Sequence, residues 1–100
     1  MGESITPIER QWLLHRQRMR IRTIAVSFAA AVSSAHRDLD VGAAERDALI
    51  ETWRAWSLEV LERYRREIEE LHDTGDQRSS DEVDDLRSTV GEAIERVRQA

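Results

Sequence analysis

After Pro7 the chain contains no further proline, and from Ile8 to Val41 it contains no glycine. The run has a marked start. Thr6 suits an N-cap, Pro7 the first helical position, where its missing N–H is no loss, and Glu9 the reciprocal place of a capping box. The spacing predicts one helix over residues 7–37, about 45 Å long at 1.5 Å per residue. The segment His36 to Gly42 then turns the chain.

This helix carries two apolar stripes. At 100° per residue, Ile8, Trp12, Met19, Val26 and Ala30 form one. Leu13, Leu14, Ile21, Ile24, Phe28, Ala31, Val32 and Ala35 form the other, about 170° away. Between them lie two i,i+4 arginine pairs: Arg16 with Arg20 on one flank, Arg18 with Arg22 on the other. A helix that is apolar on two opposite sides needs cover on both. A second helix of the same chain supplies one cover. The other falls to a third helix or to a second copy.

The second helix is expected over about residues 42–72. Its apolar set is Leu49, Ile50, Trp53, Trp56, Val60, Leu61, Tyr64, Ile68 and Leu71, with Glu59/Arg63 and Glu62/Arg66 as i,i+4 pairs on the opposite side. Residues 73–79 read as an acidic linker, with Gly75 as a helix stop and Ser79-x-x-Glu82 as a second capping box. A shorter third helix follows over about 80–99, with a narrow seam of Val83, Leu86, Val90, Ile94 and Val97 at coiled-coil spacing. Nothing alternates with period two, so no strand is expected. The fold class is all-α: a single helical domain over 1–100 with a tail at 1–5, a long antiparallel hairpin and a third helix. The thin third seam looks insufficient to cover the stripe from Leu13 to Ala35. The expectation is therefore a bundle completed by a homodimer or higher oligomer, with Leu14, Ile21, Ile24, Phe28 and Val32 at the interface and Trp56 at its edge. On the same grounds the third helix is expected to be dispensable for the hairpin.

Charge narrows the function classes. All fifteen basic residues are arginine, against twenty acids, for a net charge of −5. Such arginine usage beside abundant alanine and valine suggests a GC-rich prokaryotic or phage genome. The first 37 residues are basic and the remainder acidic, which fits neutralisation between the two parts. Arg16, Arg18, Arg20 and Arg22 are accordingly assigned to electrostatic contacts with carboxylates. The competing assignment gives them to nucleic-acid phosphates. However, they point to two edges, and no zinc-finger or helix-turn-helix spacing accompanies them.

The chain has no cysteine, which excludes disulfides and thiolate metal sites. The segment from Met19 to Ala35 resembles an export signal, yet it stays in phase with a capped helix that begins earlier. The apolar stretch after Arg22 is far shorter than the ~20 residues of a membrane span. A cytoplasmic location is expected. Glu69-x-x-His72 has the spacing of di-iron bundles but lacks the companion carboxylates. No nucleophile motif or phosphate-cradling glycine loop is present. Neither a catalytic residue nor a cofactor is assigned. The expected function is a non-catalytic helical module binding a protein partner, itself or both, as an adaptor, assembly factor or inhibitor. A nucleic-acid-associated protein is the second reading. A helical enzyme or metal protein with its site at an oligomer interface is the third.

Overall fold

The structure, a computed structural model, describes residues 6–72 and 77–100, with the backbone alone for 71–72 and 77–80. Three helices account for nearly all of them: α1 (Pro7–Arg37), α2 (Ala43–His72) and α3 (Gln77–Gln99). No strand occurs among the described residues.

The helix ends follow from local chemistry. Thr6 is extended, and its hydroxyl accepts from the Glu9 N–H at 3.2 Å, satisfying one of the free donors of the first turn. His36 and Arg37 close α1, where positive charge suits the negative end of the helix dipole. Asp38 then caps it, and the Asp38 carboxylate accepts from the Asp40 N–H at 3.0 Å, folding the short turn. The Gly42 carbonyl takes the Arg46 N–H at 2.9 Å and opens α2. The third helix starts earlier than its sequence suggests. Ser79 lies inside α3 instead of capping it, because Gln77 and Arg78 are good helix formers and extend the helix toward its N-terminus. Gly75 lies outside the described residues.

Pairings between helices give the topology. Gln17 meets Glu67 and Phe28 meets Arg54, so α1 and α2 run antiparallel. Arg54 reaches Val97 and Arg87 reaches Glu69, so α2 and α3 run antiparallel as well. Arg18 pairs with Asp85, and Ala25 and Phe28 lie near Val97, so α1 and α3 run parallel. Each helix packs against both others. The result measures 57 × 23 × 18 Å with a radius of gyration of 16.9 Å. A compact domain of this length has ~13 Å, so the chain is a rod, with the outward side of each helix left to solvent.

The core runs along the rod axis. Leu14, Ile21, Phe28 and Ala35 enter from α1 at a strict seven-residue repeat, with Ile24, Ala25 and Val32 packed beside them. Ile50, Leu61 and Ile68 enter from α2, flanked by Trp53, Leu58 and Tyr64. Leu58 lies outside the stripe read from the sequence. It is drawn in because α2 faces two helices, which widens its buried arc. From α3 come Val83, Leu86, Val90, Ala93, Ile94 and Val97, each 5 % exposed or less.

This last set corrects the expectation that the third seam is too thin. Its side chains point into the groove between α1 and α2, where each one meets both helices. A narrow seam suffices there, because a groove between two helices needs one row of side chains and not a broad face.

Candidate protein interface on the outer face of the first helix

The fold separates the two stripes of α1. Of the residues expected at an interface between copies, Leu14, Ile21 and Phe28 are buried within the single chain, and Ile24 and Val32 are half-buried against the same core. The inner face is therefore occupied by α2 and α3, and the face left uncovered is its opposite. There Ile8 is 80 % exposed, Trp12 62 %, Met19 45 % and Val26 61 %. These four span 19 residues, roughly 27 Å of helix. Trp12 and His15 neighbour each other on this face, with ring centroids 6.2 Å apart and planes tilted by 34°.

The arginines sort by the same geometry. Arg20 projects toward α2, where it lies 3.7 Å from Glu67 and 5.7 Å from the centre of the Tyr64 ring. Arg18 projects toward α3 and pairs with Asp85 at 2.6 Å. In each i,i+4 pair the member nearer the core is engaged in the chain's own packing. Arg16 and Arg22, the outer members, are exposed and form no ion pair among the described residues. They stand about 60° to either side of the apolar stripe on the helical wheel. The outer face of α1 is thus an apolar line with a cationic rim on both flanks. Within α1 the one acidic residue is Glu9, near the helix start, and Glu82 of α3 borders the face beside Gln11 and His15.

A second apolar feature lies at the junction of α1 and α2. Trp56, 57 % exposed, stands beside a shallow groove lined by Ile24, Ser27, Ala31, Trp53 and Ser57. The small residues of α1 open this groove, and Ser57 is itself buried. Leu49, one heptad before Trp56, is 37 % exposed on the same edge.

Two groups that the sequence reading did not single out hold the rod together. Arg54 donates from Nε to the Val97 carbonyl at 3.1 Å and reaches the Ala100 carbonyl and the Glu51 carboxylate with its other nitrogens. Its guanidinium also lies 5.9 Å from the centre of the Phe28 ring. It satisfies carbonyls at the end of α3 that have no partner within the helix. The signal was present in the sequence: Arg54 falls between Ile50 and Leu61 on the apolar arc of α2. Gln17 is the other, placed between Leu14 and Ile21 on the inner stripe. It is buried, and its amide nitrogen donates to Glu67 at 2.7 Å, whereas its Oε1 has no hydrogen-bond partner among the described residues.

The carboxylate of the Glu-x-x-His motif has a structural engagement. Glu69 accepts two hydrogen bonds from Arg87, at 2.6 and 3.1 Å. That hydrogen bond, with the charges of Glu69 and Asp84, holds the Arg87 guanidinium above its ordinary pKa. His72 has only its backbone described. Among the described residues no three His, Asp or Glu side chains gather as a metal-binding group. No helix among them is long and apolar enough to cross a membrane. On α2, Glu62 pairs with Arg65 at 3.5 Å and not with Arg66. Exchange among such exposed partners is energetically slight.

Compared with known proteins, no family, no curated protein and no solved structure matches this chain.

Proposed function

We propose that this chain is a non-catalytic helical interaction module that docks a protein through the outer stripe of α1. The observation that carries the reading is the line of Ile8, Trp12, Met19 and Val26, all exposed on one helix face. Single exposed apolar residues are ordinary, but an aligned set with a charged rim is characteristic of recognition surfaces. Tryptophan and arginine are also the residues that most often dominate binding energy at such surfaces. Phosphate contacts would employ Arg16 and Arg22 but leave the four apolar side chains between them without a role, so a protein partner accounts for more of the surface than a nucleic acid does.

The test compares the wild-type chain with a Trp12→Asp/Val26→Asp double variant. Both positions are exposed, so circular dichroism should show unchanged helix content. The variant should lose any self-association seen by sedimentation, along with any protein that binds the wild-type chain stoichiometrically. Association that persists unchanged in the double variant would remove the outer stripe from the function.

A further inference from the structure

We infer that the outer stripe of α1 receives an acidic amphipathic helix of a different protein, and not a second copy of α1. The inference rests on the docking role proposed above and names the chemistry of the occupant.

Charge decides between the candidates. The stripe Ile8, Trp12, Met19 and Val26 follows spacings of four, seven and seven, a repeat that lets one helix lie along another. Two copies of α1 laid antiparallel about Met19 would set the Arg16 flank of one copy against the Arg16 flank of the other, and the Arg22 flanks likewise, because an antiparallel pair brings like flanks together. Laid parallel, they would set the Arg16 flank of one copy against the Arg22 flank of the other. Both arrangements bring uncompensated like charges together along the interface, which is the usual device against a wrong partner. Asp85 and Glu67 give no relief, because each is already engaged by an arginine of its own chain.

The same charges favour a helix with apolar residues at heptad spacing and glutamate or aspartate on both flanks. Its apolar row would lie over Trp12, Met19 and Val26. Its acids would meet Arg16 on one side and Arg22 on the other, neither of which pairs with a carboxylate among the described residues. Arginine suits this role, since its planar fork bonds a carboxylate through two nitrogens. An anionic membrane surface offers negative charge too, but the chain carries a net charge of −5, which opposes approach to such a surface.

The experiment uses the full chain and two designed helical peptides of about 21 residues. Both have leucine at the seam positions. One has glutamate and the other lysine at the flanking positions. Titration calorimetry should show the glutamate peptide binding at least about tenfold more tightly than the lysine peptide. The preference should shrink with added salt. Arg16→Gln/Arg22→Gln should abolish the preference between peptides while leaving the fold intact. Trp12→Ala should weaken the glutamate peptide by roughly thirtyfold. Equal binding of the two peptides, or binding of neither, would overturn the inference. So would a wild-type chain that forms a stable homodimer through this stripe, or one that binds anionic vesicles in competition with the glutamate peptide. If the Trp12→Asp/Val26→Asp variant loses association but the arginine variant retains its full peptide preference, the docking surface stands and only the acidic partner falls.

Discussion

Phe28 and Val26 are two residues apart in sequence and lie on opposite sides of α1, so a matched pair of truncations reads directly which stripe is inside. Phe28 is 4 % exposed, touches the core and lies against Arg54. Removing a buried phenyl ring costs about 3–5 kcal/mol, the sum of lost burial and the cavity left behind. A small domain has only about 5–15 kcal/mol of stability in total. Since 1 kcal/mol moves the midpoint of a domain this size by about 4–8 °C, Phe28→Ala should lower Tm by about 12 °C or more. Val26 is 61 % exposed, and its replacement by alanine should stay within about 0.5 kcal/mol. Alanine's better helix propensity makes a slight gain the expected sign. The assay is thermal and urea unfolding followed by circular dichroism at two protein concentrations tenfold apart, so that association is separated from folding. Equal destabilisation by the two substitutions at the lower concentration would refute the assignment of faces. By the same reasoning Phe28→Asp should unfold the chain and not merely dissociate it.

Three other outcomes follow from the packing. Removal of residues 77–100 should greatly reduce helix content by circular dichroism, because it uncovers Ile21, Leu61 and Ile68, each at most 1 % exposed in the intact bundle; a stable helical hairpin after truncation would show that α3 is an accessory. Arg54→Ala should cost about 1.5–3 kcal/mol in urea unfolding, the range for hydrogen bonds to a charged group, and Arg54→Lys should recover only part of it because a lysine cannot reach two carbonyls and a carboxylate at once. Gln17→Leu should be neutral or stabilising by up to about 1 kcal/mol in the same assay, since it replaces a buried amide whose oxygen is unpartnered, while Arg20 remains beside Glu67.

The limits of α1 and α2 and the buried seam of α3 were legible in the sequence, because Pro7, Gly42 and heptad spacing act over a few residues. The allocation of the two stripes of α1 was not. Both stripes hold large apolar residues, and a helical wheel shows only that they oppose one another. What selects the inner stripe is its continuity: Leu14, Ile21, Phe28 and Ala35 repeat over the full length, with Gln17, Ile24 and Ala31 between them. The outer stripe loses its bulk after Val26, where Ala30 follows. A second source of error was treating coverage as a matter of area. Val83, Leu86 and Val90 are all fully buried because a groove presents two walls to each side chain. That depends on where α1 and α2 lie relative to each other, which no local pattern encodes. The four arginines were read as two edges of equal standing, whereas distance from the core divides each edge into an engaged and an available member.

That division connects the composition to the surface. With arginine as the only strong cation, the chain uses its planar group in ways a lysine ammonium cannot reproduce. Arg87 grips the Glu69 carboxylate with two nitrogens, Arg20 and Arg54 lie near the Tyr64 and Phe28 rings, and Arg54 ties the end of α3 to α2. These contacts hold three helices in register where a core only one side chain deep supplies limited burial. They also absorb acidic groups of α2 and α3 that would otherwise be free to meet the outer face of α1 in another copy. Asp85 is taken by Arg18, and Glu67 by Gln17 and Arg20. Arg16 and Arg22 beside the exposed stripe, like Arg63, Arg66 and Arg96 elsewhere, form no ion pair among the described residues. A stripe of four large apolar residues without such a rim would accept any apolar surface and invite aggregation. On the reading proposed above, Arg16 and Arg22 on its flanks oppose a second copy and favour a carboxylate-bearing partner.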